Sequence, residues 1–188
     1  MTDATFDAAP ARPAAYGPTS RALHWAVAAL FLGALGIGLL FDVIPREARA
    51  PWLEWHRALG VGVLLLGAWR LANRLRRGFP PGDAPAPRWQ EAAARATHWA
   101  LLAVTLLMPA TGILMGLARG RALDVWGLTL LPALPETPWL AAAAATVHEG
   151  LPWALVALIA LHVGGALKHH LVDRDATLVR MTSGRVWR

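Results

Sequence analysis

Long apolar stretches alternate with short polar or proline-rich connections along this chain, and that alternation predicts four helices. The first stretch, Ala22–Phe41, is interrupted only by His24. The second is uninterrupted only from Ala58 to Trp69, but extension to Trp52 and Leu71 gives it a spanning length, with Arg57 and Arg70 expected to snorkel outward. The third, Thr97–Leu117, contains Pro109 and is expected to kink there. The fourth covers Ala141–Leu167 and carries His148, Glu149, Pro152 and His162. With their flanking turns the helices are expected at 20–42, 51–74, 90–118 and 138–171. Hydrocarbon requires about 20 apolar residues per crossing helix, so all four qualify as spans. The expected architecture is all-α: an integral membrane four-helix bundle over 20–172, between a flexible amino-terminal tail (1–19) and a basic carboxyl-terminal tail (173–188). The first stretch is long, follows that tail and lacks a small-x-small cleavage signature. It therefore reads as a permanent helix and not as a signal peptide.

Composition agrees with this division: 56% of residues are hydrophobic and only 16% charged, too few for a soluble domain of this length. Net charge is +6, but the arginines flank apolar runs instead of forming a basic face, so the lipid bilayer and not nucleic acid is the expected partner. Thirteen of the eighteen Lys and Arg residues lie in the two tails and the second connection, against five in the first and third connections. That asymmetry places both termini in the cytoplasm of a bacterial inner membrane. Cysteine is absent, which excludes thiolate haem ligation, cysteine-held clusters and disulfides.

Six of the seven histidines fall within or at the ends of apolar runs, where ionisable groups are expensive and usually functional. His148 and His162 stand 14 residues apart on the fourth predicted helix, which separates them by about 21 Å along the axis and turns them to nearly the same face. Two stacked haems would fit that spacing. His56 begins the second helix at the depth of His148, and His24 begins the first at the depth of His162, so the expected ligand pairs are His56/His148 and His24/His162. Small residues one turn from a ligand would let a flat porphyrin approach: Ala28, Gly60, Gly165 and Ala166 hold such positions, although glycines also serve ordinary helix packing in lipid. Arg95-Ala96-Thr97-His98-Trp99 echoes Arg21-Ala22-Leu23-His24-Trp25. His98 is therefore either an interfacial residue of the aromatic belt or a competing ligand for the inner haem. His169 and His170 read as polar residues at a helix end, with His169 on nearly the face of His162.

With Ser20-Arg21-Ala22-Leu23-His24-Trp25, Leu107-Met108-Pro109-Ala110-Thr111-Gly112, and Leu161-His162 through Lys168-His169-His170 to Asp175-Ala176-Thr177-Leu178, the chain after residue 17 resembles the bacterial cytochrome b561 family. That family is related to the cytochrome b subunits of hydrogenases and formate dehydrogenases. The resemblance implies two non-covalent haem b groups held in the pairs above. It further implies electron exchange with ubiquinone and, in some members, oxidation of periplasmic superoxide, a superoxide:ubiquinone oxidoreductase activity. On that basis His98, His169 and Arg74 are candidates for a quinone site, and Arg46, Arg49, Arg119 and Arg121 for steering superoxide. Pro152, one turn after His148, departs from a straight helix beside the outer pair. The competing readings are a cytochrome subunit fed by a peripheral hydrogenase or dehydrogenase and, in another class, a small histidine-based metal transporter. A transporter would need its ligands at one depth, whereas these histidines stand at two. A homo-oligomer or a redox partner protein is compatible with either reading.

Overall fold

A computed structural model describes residues 16–80, 82 and 86–183; the expected tail at 1–15 and the last five residues lie outside the described range. Four helical spans form an all-α membrane bundle. Helix α1 is Pro18–Leu40, with Pro18 in its first turn, where the missing N–H needs no partner. A short 3₁₀ turn, Arg46–Ala48, leads into α2, Arg49–Arg77. Helix α2 ends at Gly78, whose φ of +66° suits glycine, while Arg74, Arg76 and Arg77 complement the negative end of the helix dipole. Helix α3, Arg88–Ala118, contains Pro109 in its interior. Around that proline the hydroxyls of Thr105 and Thr111 donate back to the carbonyls of Leu101, Leu107 and Met108.

The third connection, which the apolar pattern leaves as a loop, folds into an antiparallel hairpin of β1 (Leu123–Val125) and β2 (Leu128–Leu131). Its two-residue turn has φ of +48° at Trp126 and +80° at Gly127, the sense that hairpin twist demands. The strained Trp126 is held by its own N–H donating to Glu54 Oε2 at 2.9 Å and by an edge-on contact with Trp55. The fourth span is two helices, α4 (Pro138–Gly150) and α5 (Pro152–Lys168), separated at Leu151. Pro152 has no N–H to give the carbonyl of His148, so the ladder breaks one turn after that histidine. A π-helical turn, His169–Asp173, ends with Arg174 in the left-handed region, and helix α6, Thr177–Thr182, lies within the segment expected as a tail. Helix α6 is tied to α1 by Trp25 Nε1 donating to the Met181 carbonyl at 3.0 Å.

The hairpin and the α4 start occupy one end of the bundle; α6 and the α1 start occupy the other, called here the terminal end. Between 6% and 22% of each span is buried within the protein, so most of the apolar surface, including Leu32, Leu65, Trp153 and Leu161, is left for lipid. Where helices do meet, small residues permit it: a Cβ at Gly67 of α2 would lie 2.9 Å from Thr105 of α3.

Candidate functional site

The histidines gather into two clusters, one at each end of the bundle. At the hairpin end, His56 of α2 and His148 of α4 face each other with ring centroids 6.0 Å apart and planes at 86°. Each ring is fixed by a backbone carbonyl of another helix. His56 Nδ1 lies 3.0 Å from the Ala34 carbonyl of α1, and His148 Nδ1 lies 2.9 Å from the Met108 carbonyl of α3. A carbonyl can only accept, so each Nδ1 carries the proton and each Nε2 is left with its lone pair. That is how proteins orient a histidine to ligate metal. Thr111 Oγ1 stands 3.3 Å from the same His148 nitrogen, and Gly112 gives the ring its room, because a Cβ there would come within 2.8 Å of Cε1. Gly38 of α1 does the same for His56, at 3.3 Å.

Beside these rings opens a cavity of about 560 Å³ lined by α1, α2, α3 and the fourth span, including Phe31, Gly60 and Leu155. Its volume lies within the range of about 300–1,000 Å³ usual for cofactor sites. Gly60 borders it, with nothing within 4 Å of where a Cβ would stand. Apolar walls, a glycine flank and two imidazoles with available Nε2 atoms make a donor set suited to haem. Arg57, Arg119 and Arg121 line the same cavity. Arg57 pairs with Glu54 at 3.1 Å, and Arg119 stands 4.0 Å from Glu149. Arg46 is exposed, while Arg49 donates from Nε to the Ile44 carbonyl; neither lines the cavity.

The terminal end brings together three histidines, not two. His162 of α5 has His24 of α1 at 6.2 Å and His98 of α3 at 5.5 Å between ring centroids, with interplanar angles of 66° and 75°. Phe79 stacks on His98 at 5.3 Å and 17°, and the Arg74 guanidinium lies over the Phe79 ring at 4.5 Å. Arg74 is buried and donates to the Gly78 carbonyl at 2.7 Å. His169 points into a different corner: its Nδ1 meets Asp175 at 2.8 Å and Asp173 at 3.0 Å, while Lys168 holds both oxygens of Asp173. Burial raises the Asp175 carboxyl, but the Thr177 N–H and the His169 ring outweigh it and hold the group below its ordinary value. His169, Asp173 and Asp175 bring three donor atoms within 4.8 Å of one another, with Lys168 already neutralising Asp173.

Sequence comparison decides the family. The chain matches the family described as prokaryotic cytochrome b561 over residues 15–184. It belongs to the prokaryotic cytochrome b561 family. Cytochrome b561 homolog 2 of Escherichia coli (strain K12) is 32% identical over 179 residues, covering 90% of this chain and 92% of that protein. Cytochrome b561 homolog 1 of the same strain is 33% identical over 175 residues, covering 90% and 98%. A probable superoxide oxidase CybB of Yersinia pestis is 29% identical over 160 residues, covering 85% and 90%. As a cytochrome b561, the protein is a haem b-binding electron-transfer protein of the membrane, with four helical spans. Two features of this cytochrome b561 escape sequence reasoning. The carbonyls of Ala34 and Met108 are backbone atoms with no residue signature, and Gly112 works through a contact with another helix.

Proposed function

We propose that the chain holds two haem b groups, by His56/His148 at the hairpin end and His24/His162 at the terminal end, and carries electrons from superoxide to ubiquinone. The observation that carries this reading is the pair of Nδ1-to-carbonyl hydrogen bonds, which aim Nε2 of both His56 and His148 at one cavity. Spacing supports the pairs. Two imidazoles sharing one metal ion through their Nε2 atoms would have ring centres about 6.2 Å apart, from a metal–nitrogen bond of about 2 Å and about 1.1 Å from Nε2 to the ring centre. The 6.0 Å of His56/His148 and the 6.2 Å of His24/His162 agree with that, whereas 5.5 Å for His98/His162 is short. His98 is thereby freed for the quinone.

A haem held between His56 and His148, and another between His24 and His162, would supply one-electron chemistry. The chain's own groups do the rest. Arg119 and Arg121 place positive charge beside the hairpin-end cavity, where an anion such as superoxide would be drawn; Arg46 and Arg49 contribute only at longer range. Two superoxide anions each give up one electron and leave as dioxygen, and ubiquinone takes two electrons and two protons. At the terminal end His98 offers its ring to the quinone head, and His169, backed by Asp175, holds a proton for transfer from its other nitrogen. Arg74 is buried against the Phe79 ring, so it acts there as charge and not as a contact. The lysine and arginine asymmetry supports a terminal end in the cytoplasm and a hairpin in the periplasm of the inner membrane.

The test is ubiquinol formation by the purified protein given superoxide, with ascorbate and no donor as comparisons. Quinol appearing with superoxide alone, together with two separable haem signals, is the expected result. Quinone reduction that occurs only when a large hydrogenase or dehydrogenase is added back would replace superoxide with a protein donor.

A further inference from the structure

On α2, Arg70 follows His56 by 14 residues, the interval that separates His148 from His162. At about 1.5 Å and 100° per residue, Arg70 therefore lies at the terminal-end level on nearly the face of α2 that carries His56. Its side chain is half-buried within the protein, so it is not simply turned outward as its position near a helix end suggests. Arg74, one turn further along the same helix, is 7% exposed. Two like charges one turn apart repel even on an exposed helix, and inside a membrane span each also lacks hydration. Among the described residues neither has a carboxylate partner. Arg74 makes one hydrogen bond, to the Gly78 carbonyl, and otherwise faces the rings of Tyr16 and Phe79; Arg70 has no hydrogen bond or ion pair.

We propose that Arg70, with Arg74 behind it, is the anion site that receives a propionate carboxylate of the terminal-end haem. This rests on the two-haem reading above. A b-type haem carries two carboxylates and sits at the depth of its axial histidines, which is Arg70's depth. Ubiquinone is uncharged and cannot neutralise the pair, and lipid phosphates lie at the headgroup level, beyond a residue seven positions inside the end of α2. An arginine at this place would also favour the reduced haem, because a nearby positive charge stabilises the added electron.

The test uses the purified, haem-loaded protein with haem carboxylates labelled with ¹³C. Redox difference infrared spectra and potentiometry are recorded for wild type, Arg70→Gln, Arg70→Lys, Arg74→Gln and Arg88→Gln, an exposed control. The terminal-end signal is the one that His162→Ala removes. Arg70→Gln is expected to shift the labelled carboxylate band and to move the reduction equilibrium of that haem about tenfold toward the oxidised form, 59 mV for one electron. Arg70→Lys should restore most of the potential with a displaced band, and Arg88→Gln should change neither. If Arg70→Gln retains its haem and the labelled band and potential equal wild type, the assignment is wrong. A potential shift with an unmoved band also overturns it, as does a band that moves only when lipid phosphate or quinone is stripped away. Should Arg70→Gln lose the haem, the same readings are taken on Arg70→Lys and Arg74→Gln. A wild-type protein with a single haem would instead overturn the two-haem reading.

Discussion

Replacing Gly112 with alanine tests how closely the hairpin-end pair is built. The added Cβ would stand 2.8 Å from His148 Cε1, 3.2 Å from Nδ1 and 3.4 Å from Nε2. Carbon atoms settle near about 3.5 Å or more, so the ring must retreat by about 0.7 Å or the two helices must part by as much. The obstacle is an imidazole already tied to the Met108 carbonyl, so neither movement is free. Metal and catalytic constellations tolerate only about 0.5 Å of displacement. Overpacking of this kind costs about 1–3 kcal/mol, and at 1.4 kcal/mol per decade that is about a five- to hundredfold weaker hold on the haem. The assay is haem per protein together with the reduced α band of the hairpin-end centre, followed through dilution or competition with an apoprotein acceptor. Gly164→Ala is the control, since nothing lies within 4 Å of its added carbon. Gly112→Ala that keeps full haem content and an unshifted hairpin-end potential would refute the claim that this glycine makes room for the ligand.

The terminal-end cluster yields a second contrast. His162→Ala should remove one haem signal, whereas His98→Ala should keep both and slow quinone reduction; the reverse outcome in haem content would make His98 the axial ligand. The Asp175 corner yields a pH dependence. A carboxyl held below its ordinary value contributes stability that is present above the unfolded pKa of 3.8 and is lost as pH falls through the lower folded value. Asp175→Asn should therefore speed amide exchange in residues 176–183 at neutral pH, and the gap from wild type should close below the ordinary carboxylate range. A gap that persisted in strong acid would mean that the carboxylate charge is not what holds α6.

Spans and the depths of the histidines were legible because both follow from one-dimensional facts: the length of an apolar run and the rise per residue. The 14-residue interval remained informative even across the break at Pro152, since one lost hydrogen bond bends a helix without erasing its course. Features made by contact between helices were not legible. Arg70 has a side chain long enough to point either way, and only its neighbours decide which. The hairpin's turn is Trp126-Gly127 in place of the usual Asn-Gly, so its first position carries no turn signature, and Glu54, more than seventy residues earlier, supplies the anchor. Small residues next to the ligands in sequence, such as Gly165, have no protein atom near where a Cβ would stand. Those that crowd the rings, Gly38 and Gly112, come from facing helices.

The interruption at Leu151 alters what random substitution can do to this fold. In an unbroken helix a one-residue slip rotates everything beyond it by about 100°, so a change that suited the histidine at one end would misdirect the histidine at the other. With the ladder open at Pro152, α5 can turn or tilt while His148 stays on its Met108 carbonyl. Each of the two ends can thus drift in sequence without dragging the other along.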